Sequence, residues 1–266
     1  MTIDVHTHAF PDELADRAIE TLNEEIPREA WAVLDGSVGD LLRSMDEGGI
    51  ERSVIASIAT KPKQAAAILR WSESIQSERI IPFGSVHPEG ADPAADVAAI
   101  AGAGLRGVKL HSMYQKFSVD ERRMWPIYGA IEESNLVLLF HAGRDIAFPL
   151  DDDRATPERI LNVHRAFPDM PIIAAHMGGW KMWDEVAETL AGKDIWLETS
   201  YSFAMGAEEA LGKIIERHPA DRILFGTDSP WTDQSRTLQL VKKAFPDPES
   251  QRMVLRENAE RLLGLV

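Results

Sequence analysis

Residues 4–8 of the chain read DVHTH. His6 and His8 stand two apart, so in an extended strand their imidazoles share one face. Two imidazoles on one face can act as adjacent ligands to a single cation. Further chemistry-bearing residues recur along the chain: Lys109 and His111 in GVKLH, His141 in HAG, His176 in AHMGG, Glu198 in LETS and Asp228 in FGTDSP. Neutral imidazole nitrogen suits zinc and similar ions, and a carboxylate adds charge compensation. Several imidazoles with one aspartate therefore predict a divalent metal site. The chain has no cysteine, which excludes disulfides, thiolate ligands and a cysteine nucleophile.

Such a site needs elements that bring distant residues together. Eight short apolar runs cover 2–8, 52–58, 80–86, 105–111, 136–142, 171–177, 194–200 and 222–228. Helical patterns fall between them. One, 38–49, ends in a double glycine, one over 62–78 opens on a proline, and another follows Thr156 as an N-cap. Strict β–α alternation predicts an α/β fold, a single-domain (β/α)8 TIM barrel over 1–266. No glycine-rich phosphate loop supports the rival doubly wound sheet. Residues 9–37 exceed an ordinary loop, and DELADRAIETLNEE is expected to form an extra helix over the barrel mouth.

In a barrel, chemistry sits at the C-terminal strand ends, where these polar residues collect. By parity, His6 and His8 face the axis while Ile3 and Val5 face the helices, and Lys109 and His111 oppose Val108 and Leu110. His141 and Asp228 oppose their apolar neighbours in the same way. His87, His164 and His218 are expected to be structural or surface residues. Arg52 and Arg106 begin their strands and are expected at the far end, and Trp180 and Trp231 at the mouth, lining a substrate pocket.

The formal charge of −15 argues against a nucleic-acid partner. There is no signal-peptide pattern, and the longest apolar runs are too short to span a bilayer. A cytoplasmic enzyme acting on a small-molecule substrate is expected, with no nucleic-acid or membrane partner and homo-oligomerisation left open.

Taken in order, VHTH, GVKLH, HAG, AHMGG, LETS, FGTDSP and the closing NAERLLGL resemble the amidohydrolase superfamily, in its amidohydrolase-related branch. That branch includes aminocarboxymuconate-semialdehyde and resorcylate decarboxylases. The resemblance runs from residue 4 to 265. It implies metal ligands at His6, His8, His141 and Asp228, with Asp228 also carrying a proton. It implies that His176 polarises substrate or water, and that Lys109 is either an ammonium gripping an oxyanion or a carboxylated bridge between two ions. One divalent ion, zinc first, is the expected cofactor. His111, Arg144, Trp180 and Trp231 are the expected substrate contacts.

Two reactions follow from that arrangement. The first expectation is hydrolysis of an ester, lactone or amide, because a divalent ion lowers the pKa of a bound water toward ~7. Asp228 would take its proton, and His176 and Lys109 would stabilise the oxyanion. The alternative is non-oxidative decarboxylation of an aromatic or muconate-type acid, with Asp228 or His176 protonating carbon and Arg144 or Arg154 holding a carboxylate.

Overall fold

The computed structural model describes residues 2–265. Eight parallel strands form: β1 (Ile3–Thr7), β2 (Arg52–Ala56), β3 (Ile80–Phe83), β4 (Gly107–Leu110), β5 (Val137–Phe140), β6 (Ile172–Ala174), β7 (Trp196–Glu198) and β8 (Ile223–Leu224). They pair in sequence order as two runs, β1–β3 and β4–β8. Bridges between Gly84 and Val108 and between Thr7 and Ser229 join the runs into a closed ring. This is the expected (β/α)8 barrel.

The helices are α1 (Asp12–Glu24), α2 (Val38–Gly48), α3 (Ala65–Ile75), α4 (Pro93–Gly102), α5 (Trp125–Glu133), α6 (Pro157–Ala166), α7 (Trp183–Thr189), α8 (Glu208–Arg217), α9 (Gln234–Ala244), α10 (Pro248–Arg252) and α11 (Asn258–Leu263). Their ends follow local chemistry. Gly49 closes α2 in the left-handed region at φ 68°, and Thr156 caps α6 by accepting from Arg159 N. The helix expected from Pro62 begins at Ala65 instead. Thr60 Oγ1 and Lys61 N both donate to Gln64 Oε1, which folds that stretch into a turn. The extra helix after β1 is α1.

Two apolar layers divide the core. Val108, Leu138, Phe140, Ile172, Leu197 and Ile223 pack outward against helix residues such as Leu41, Val97, Ile127 and Ile160. Val54, Phe83, Leu139, Ile173 and Leu224 come from five strands and meet each other and α11, through Ala259 and Leu263. Residues from so many strands meet only on the axis, so this second cluster is the barrel floor and α11 closes it from below.

Ile3 and Val5 belong to that floor, not to the helix-facing layer that parity predicts. The β1–β2 register slips between Asp4 and Thr7. An irregularity in one strand resets which face later side chains take. Ile3 and Val5 therefore face the axis, and after the slip His6 and His8 do so as well.

Asp4 points the other way and is fully buried. Its Oδ2 accepts from Thr227 Oγ1 at 2.6 Å and Gln234 Nε2 at 2.7 Å, and its Oδ1 from Thr227 N at 3.0 Å and His6 N at 3.2 Å. Burial pushes its carboxyl up to about 7. All four partners donate, so the pocket fits the carboxylate. It ties β1 to the segment after β8 and to the start of α9, where the ring closes. Asp4→Asn sets an amide N–H against these donors and should lower stability by about 2–3 kcal/mol. Urea unfolding followed by circular dichroism checks this; an unchanged midpoint would remove Asp4 as the clamp.

Candidate metal centre and active site

The strand ends converge above the floor. His6 Nε2 lies 3.1 Å from His8 Nε2 and 3.5 Å from Asp228 Oδ1, and His8 Nε2 lies 3.1 Å from Asp228 Oδ1. Donors held ~2.0–2.2 Å from one tetrahedral ion stand roughly 3.3–3.6 Å apart, so these three atoms have nearly the spacing an ion requires. The bonding of the other ring nitrogen agrees. His6 Nδ1 donates to Glu198 Oε1 at 3.0 Å, which leaves the Nε2 lone pair facing His8 and Asp228. A carboxylate behind a ligating imidazole fixes its tautomer and raises its basicity.

A second pair stands beside the first. His141 Nδ1 and His176 Nε2 are 3.1 Å apart. His141 Nε2 donates to the Arg144 carbonyl at 2.9 Å, and His176 Nδ1 donates to Ser200 Oγ at 2.8 Å. Both facing nitrogens are thus lone-pair donors, an arrangement that a cation satisfies.

The mutually close donor groups are His6–His8–Asp228, His6–His176–Glu198 and His111–His141–Asp145. His141 therefore stands outside the His6–His8–Asp228 triad and meets it through His176. His111 stacks on His141 with ring centroids 4.1 Å apart and donates from Nε2 to Asp145 Oδ2 at 3.1 Å. Lys109 Nζ lies 3.2 Å from His6 Nε2.

Backbone strain helps to aim these groups. By parity His176 follows Ile172 and Ala174, which face outward, yet it sits at φ 58° and turns inward; Asp228 sits at φ 67°. Non-glycine residues in the left-handed region cost of order 1 kcal/mol or more each.

Burial sets the charges. It drives His6 and His141 well below the ordinary imidazole range, and it lowers His111 and His176. It also lowers Lys109 to about 8. Burial opposes charge on Asp228, but the imidazoles of His6 and His8 outweigh it and hold the carboxyl well below the usual range. His6, His141 and His176 are thus neutral and Asp228 ionised, the forms in which such groups ligate metals.

The cluster opens into a cavity of about 530 Å³, lined also by Tyr114, Arg144, Trp180, Tyr201 and Trp231. Two buried polar atoms of that wall, His111 Nδ1 and Trp180 Nε1, have no hydrogen-bond partner. The expected substrate contacts His111, Arg144, Trp180 and Trp231 all face this one space. Among the described residues Arg144 forms no ion pair, whereas Arg154 is paired with Asp152 at 3.2 Å. Arg52 and Arg106 lie together with Gly264, at the floor end. His218 is buried and accepts from Gly192 N, a structural role.

Sequence reading placed Glu198 at a strand end without a role, and it passed over Asp145 and Ser200. A carboxylate four residues after His141 and the serine two after Glu198 were the available signals. Residues that act only by hydrogen-bonding other side chains show no periodic pattern of their own.

Two results test this geometry. Glu198→Gln should weaken divalent-metal affinity by about tenfold to hundredfold in a metal-buffered titration. His6→Ala and Asp228→Ala should bind no ion stoichiometrically while keeping the far-ultraviolet spectrum. Wild-type affinity in any of the three would misplace the centre.

The pH dependence has a definite sign. Six buried imidazoles, those of His6, His87, His111, His141, His176 and His218, have folded pKa values below the ordinary value of about 6.5. Below that pH the unfolded chain binds more protons, so their stabilisation is complete above about 6.5 and is lost as pH falls. Asp4, Asp96 and Glu198, all raised by burial, act in the opposite sense, three groups against six. The metal-free protein should therefore lose unfolding free energy between pH 7 and pH 5, at ~1.4 kcal/mol for each net proton per pH unit. Constant or rising stability over that interval would contradict the assigned imidazole states.

Comparison with known proteins agrees with the architecture. A dihydroxybenzoic acid decarboxylase from a Polaromonas species, with bound manganese and the inhibitor 2-nitroresorcinol, superposes with a TM-score of 0.76 at 17% identity, over 99% of this chain and 97% of that one. The 5-carboxyvanillate decarboxylase from Sphingomonas paucimobilis gives 0.73 at 17% identity, over 99% and 98%. A probable 2-pyrone-4,6-dicarboxylic acid hydrolase from Acinetobacter baumannii, with citric acid bound, gives 0.69 at 16%, over 99% of each chain. At these identities the likeness establishes the fold. No curated protein matches the chain. Among the described residues no helix is long and apolar enough to cross a membrane. The family described as amidohydrolase matches residues 3–265, essentially the whole length, and the chain belongs to it.

Proposed function

We propose that the protein is a metal-dependent, non-oxidative decarboxylase of an aromatic or muconate-type carboxylic acid. The observation that carries this reading is the ion-pair-free Arg144 in an aromatic-walled cavity directly above the metal-fit cluster. Similar architectures that act on carboxylated aromatic rings support it. It reverses the order expected from sequence, where hydrolysis came first.

An ion held by His6, His8 and Asp228, with His141 or His176 beside them, would withdraw electrons from a substrate carboxylate and a neighbouring enol or phenol oxygen. The imidazole-rich donor set favours zinc, and manganese is the alternative that the Polaromonas enzyme suggests. Arg144 neutralises and orients an anionic substrate. The unpartnered Trp180 indole N–H is available to a substrate oxygen. Tyr114, Trp180, Tyr201 and Trp231 offer ring faces for a planar substrate. Asp228 or His176, neither of which carries an acidic proton at rest, takes one up from water as the substrate binds and delivers it to the carbon bearing the carboxylate. The carbon–carbon bond then breaks, its electron pair stays with the ring, and carbon dioxide leaves.

Hydrolysis is the second reading, favoured by Lys109. Its Nζ, 3.2 Å from His6 Nε2, could stabilise an oxyanion formed beside the cluster.

Carbon dioxide release from a panel of hydroxylated benzoates and muconate-type acids, run beside ester and lactone panels, separates the two. Release from an acid is expected. Arg144→Met should raise KM for that acid by about tenfold to hundredfold. Turnover confined to esters or lactones would assign hydrolysis instead.

A further inference from the structure

The cavity is far larger than the chemistry at its base requires. A cavity of ~150 Å³ holds a benzene ring, whereas this one measures about 530 Å³. Besides the strand ends, residues of α1 and α3 line it. It runs outward between α1 and α3, whose side chains form its far wall.

That wall is apolar in a helical pattern. Leu14, Ala18 and Leu22 recur at i, i+4 and i+8 on α1, and Ala67, Ile68 and Trp71 face the same space from α3. Of these side chains only Trp71 packs partly against the core. Leu14 is 40% exposed, and Ala18, Leu22, Ile68 and Trp71 are only half-buried. Arg17, on the same face of α1, forms no ion pair among the described residues, and its aliphatic stem can extend the apolar wall. Apolar surface turned toward a continuous cavity, rather than toward the core, gains its stabilisation only when something apolar fills the groove.

We infer that the α1–α3 groove is a substrate subsite for an apolar tail, so that the natural substrate is an aromatic acid bearing an alkyl or second aryl group. The inference rests on the aromatic-acid reading of the metal site. The head sits at the His6–His8–Asp228 cluster and meets Arg144. The tail lies between the apolar faces of α1 and α3, which line the same cavity. The cluster and α1 line one cavity, so a single molecule can reach both.

The experiment is calorimetric titration of the metal-loaded protein with salicylate and its ring-alkylated homologues, methyl to hexyl, at each ring position. Carbon dioxide release is followed in parallel. In one positional series affinity should rise about two- to fourfold per methylene over at least four carbons. Ala18→Trp, which fills the groove from α1, should flatten that series. Where this variant does not fold, Trp71→Asp, at a half-exposed position, should flatten it as well. No dependence on chain length in any wild-type series, a full dependence in a folded variant, or no binding of any homologue overturns the subsite. Carbon dioxide release without chain-length dependence removes the groove and leaves the reaction class. Chain-length dependence without carbon dioxide release removes the reaction class and leaves the groove.

Discussion

The buried carboxylate of Glu198 holds the site together. It is fully buried, and it accepts from His6 Nδ1, His176 N and Ser200 Oγ through Oε1 and from Ser200 N through Oε2. An isolated buried carboxylate costs several kcal/mol, and four donors in good geometry offset much of that cost. Those donors belong to β1, to the turn after β6 and to the segment after β7. One anion thus sets the spacing of three strand ends and orients His6. The arrangement also explains a glycine: a Cβ on Gly226 would stand 2.1 Å from Glu198 Oε2. Only glycine lets β8 approach the carboxylate closely enough for the Asp228 that follows to reach His6 and His8.

Asp4 does the corresponding work outside the ring, and the two carboxylates bracket the β1 irregularity. Between them His6 is held from both sides, its backbone N–H by Asp4 and its ring by Glu198. Gly143 plays a related part on β5. A Cβ there would lie 2.2 Å from Trp180 N, so the segment after His141 can pair directly with the one after His176. That contact brings the imidazoles of the fifth and sixth strands within 3.1 Å of each other.

The barrel was legible because β–α alternation and polar strand ends are local, periodic signals, and all eight strands fall where the apolar runs place them. The first-row residues at those ends were legible for the same reason. Three features were not. The inward turn of Ile3 and Val5 depends on a register slip that no side-chain pattern encodes. The aim of His176 depends on a positive φ at a residue that does not announce one. The separation of His141 from the His6–His8–Asp228 triad depends on how far each loop carries its strand end. Glu198, Asp145 and Ser200 act through hydrogen bonds to ligating groups, and such second-row roles follow from contacts rather than from spacing.

The molecule separates stability from specificity along the barrel axis. Its floor is a closed apolar cluster finished by α11, and its walls pack against the helices that follow the strands. The polar donors stand above that floor, where unpaired lone pairs and positive φ angles are carried by a scaffold already closed beneath them. α1 lies outside this economy. It is fastened through few contacts, among them Asn23 Oδ1 accepting from Ala32 N and the Tyr114 hydroxyl donating to Glu25. A helix held this way contributes little to the stability of the barrel, yet it supplies much of the outer cavity wall. Substitutions along Leu14, Ala18 and Leu22 can therefore change the cavity wall without disturbing the buried carboxylates that hold the histidine cluster. The histidine cluster is thus held by buried carboxylates at the strand ends, while the outer cavity wall is carried by a helix that lies outside the barrel core.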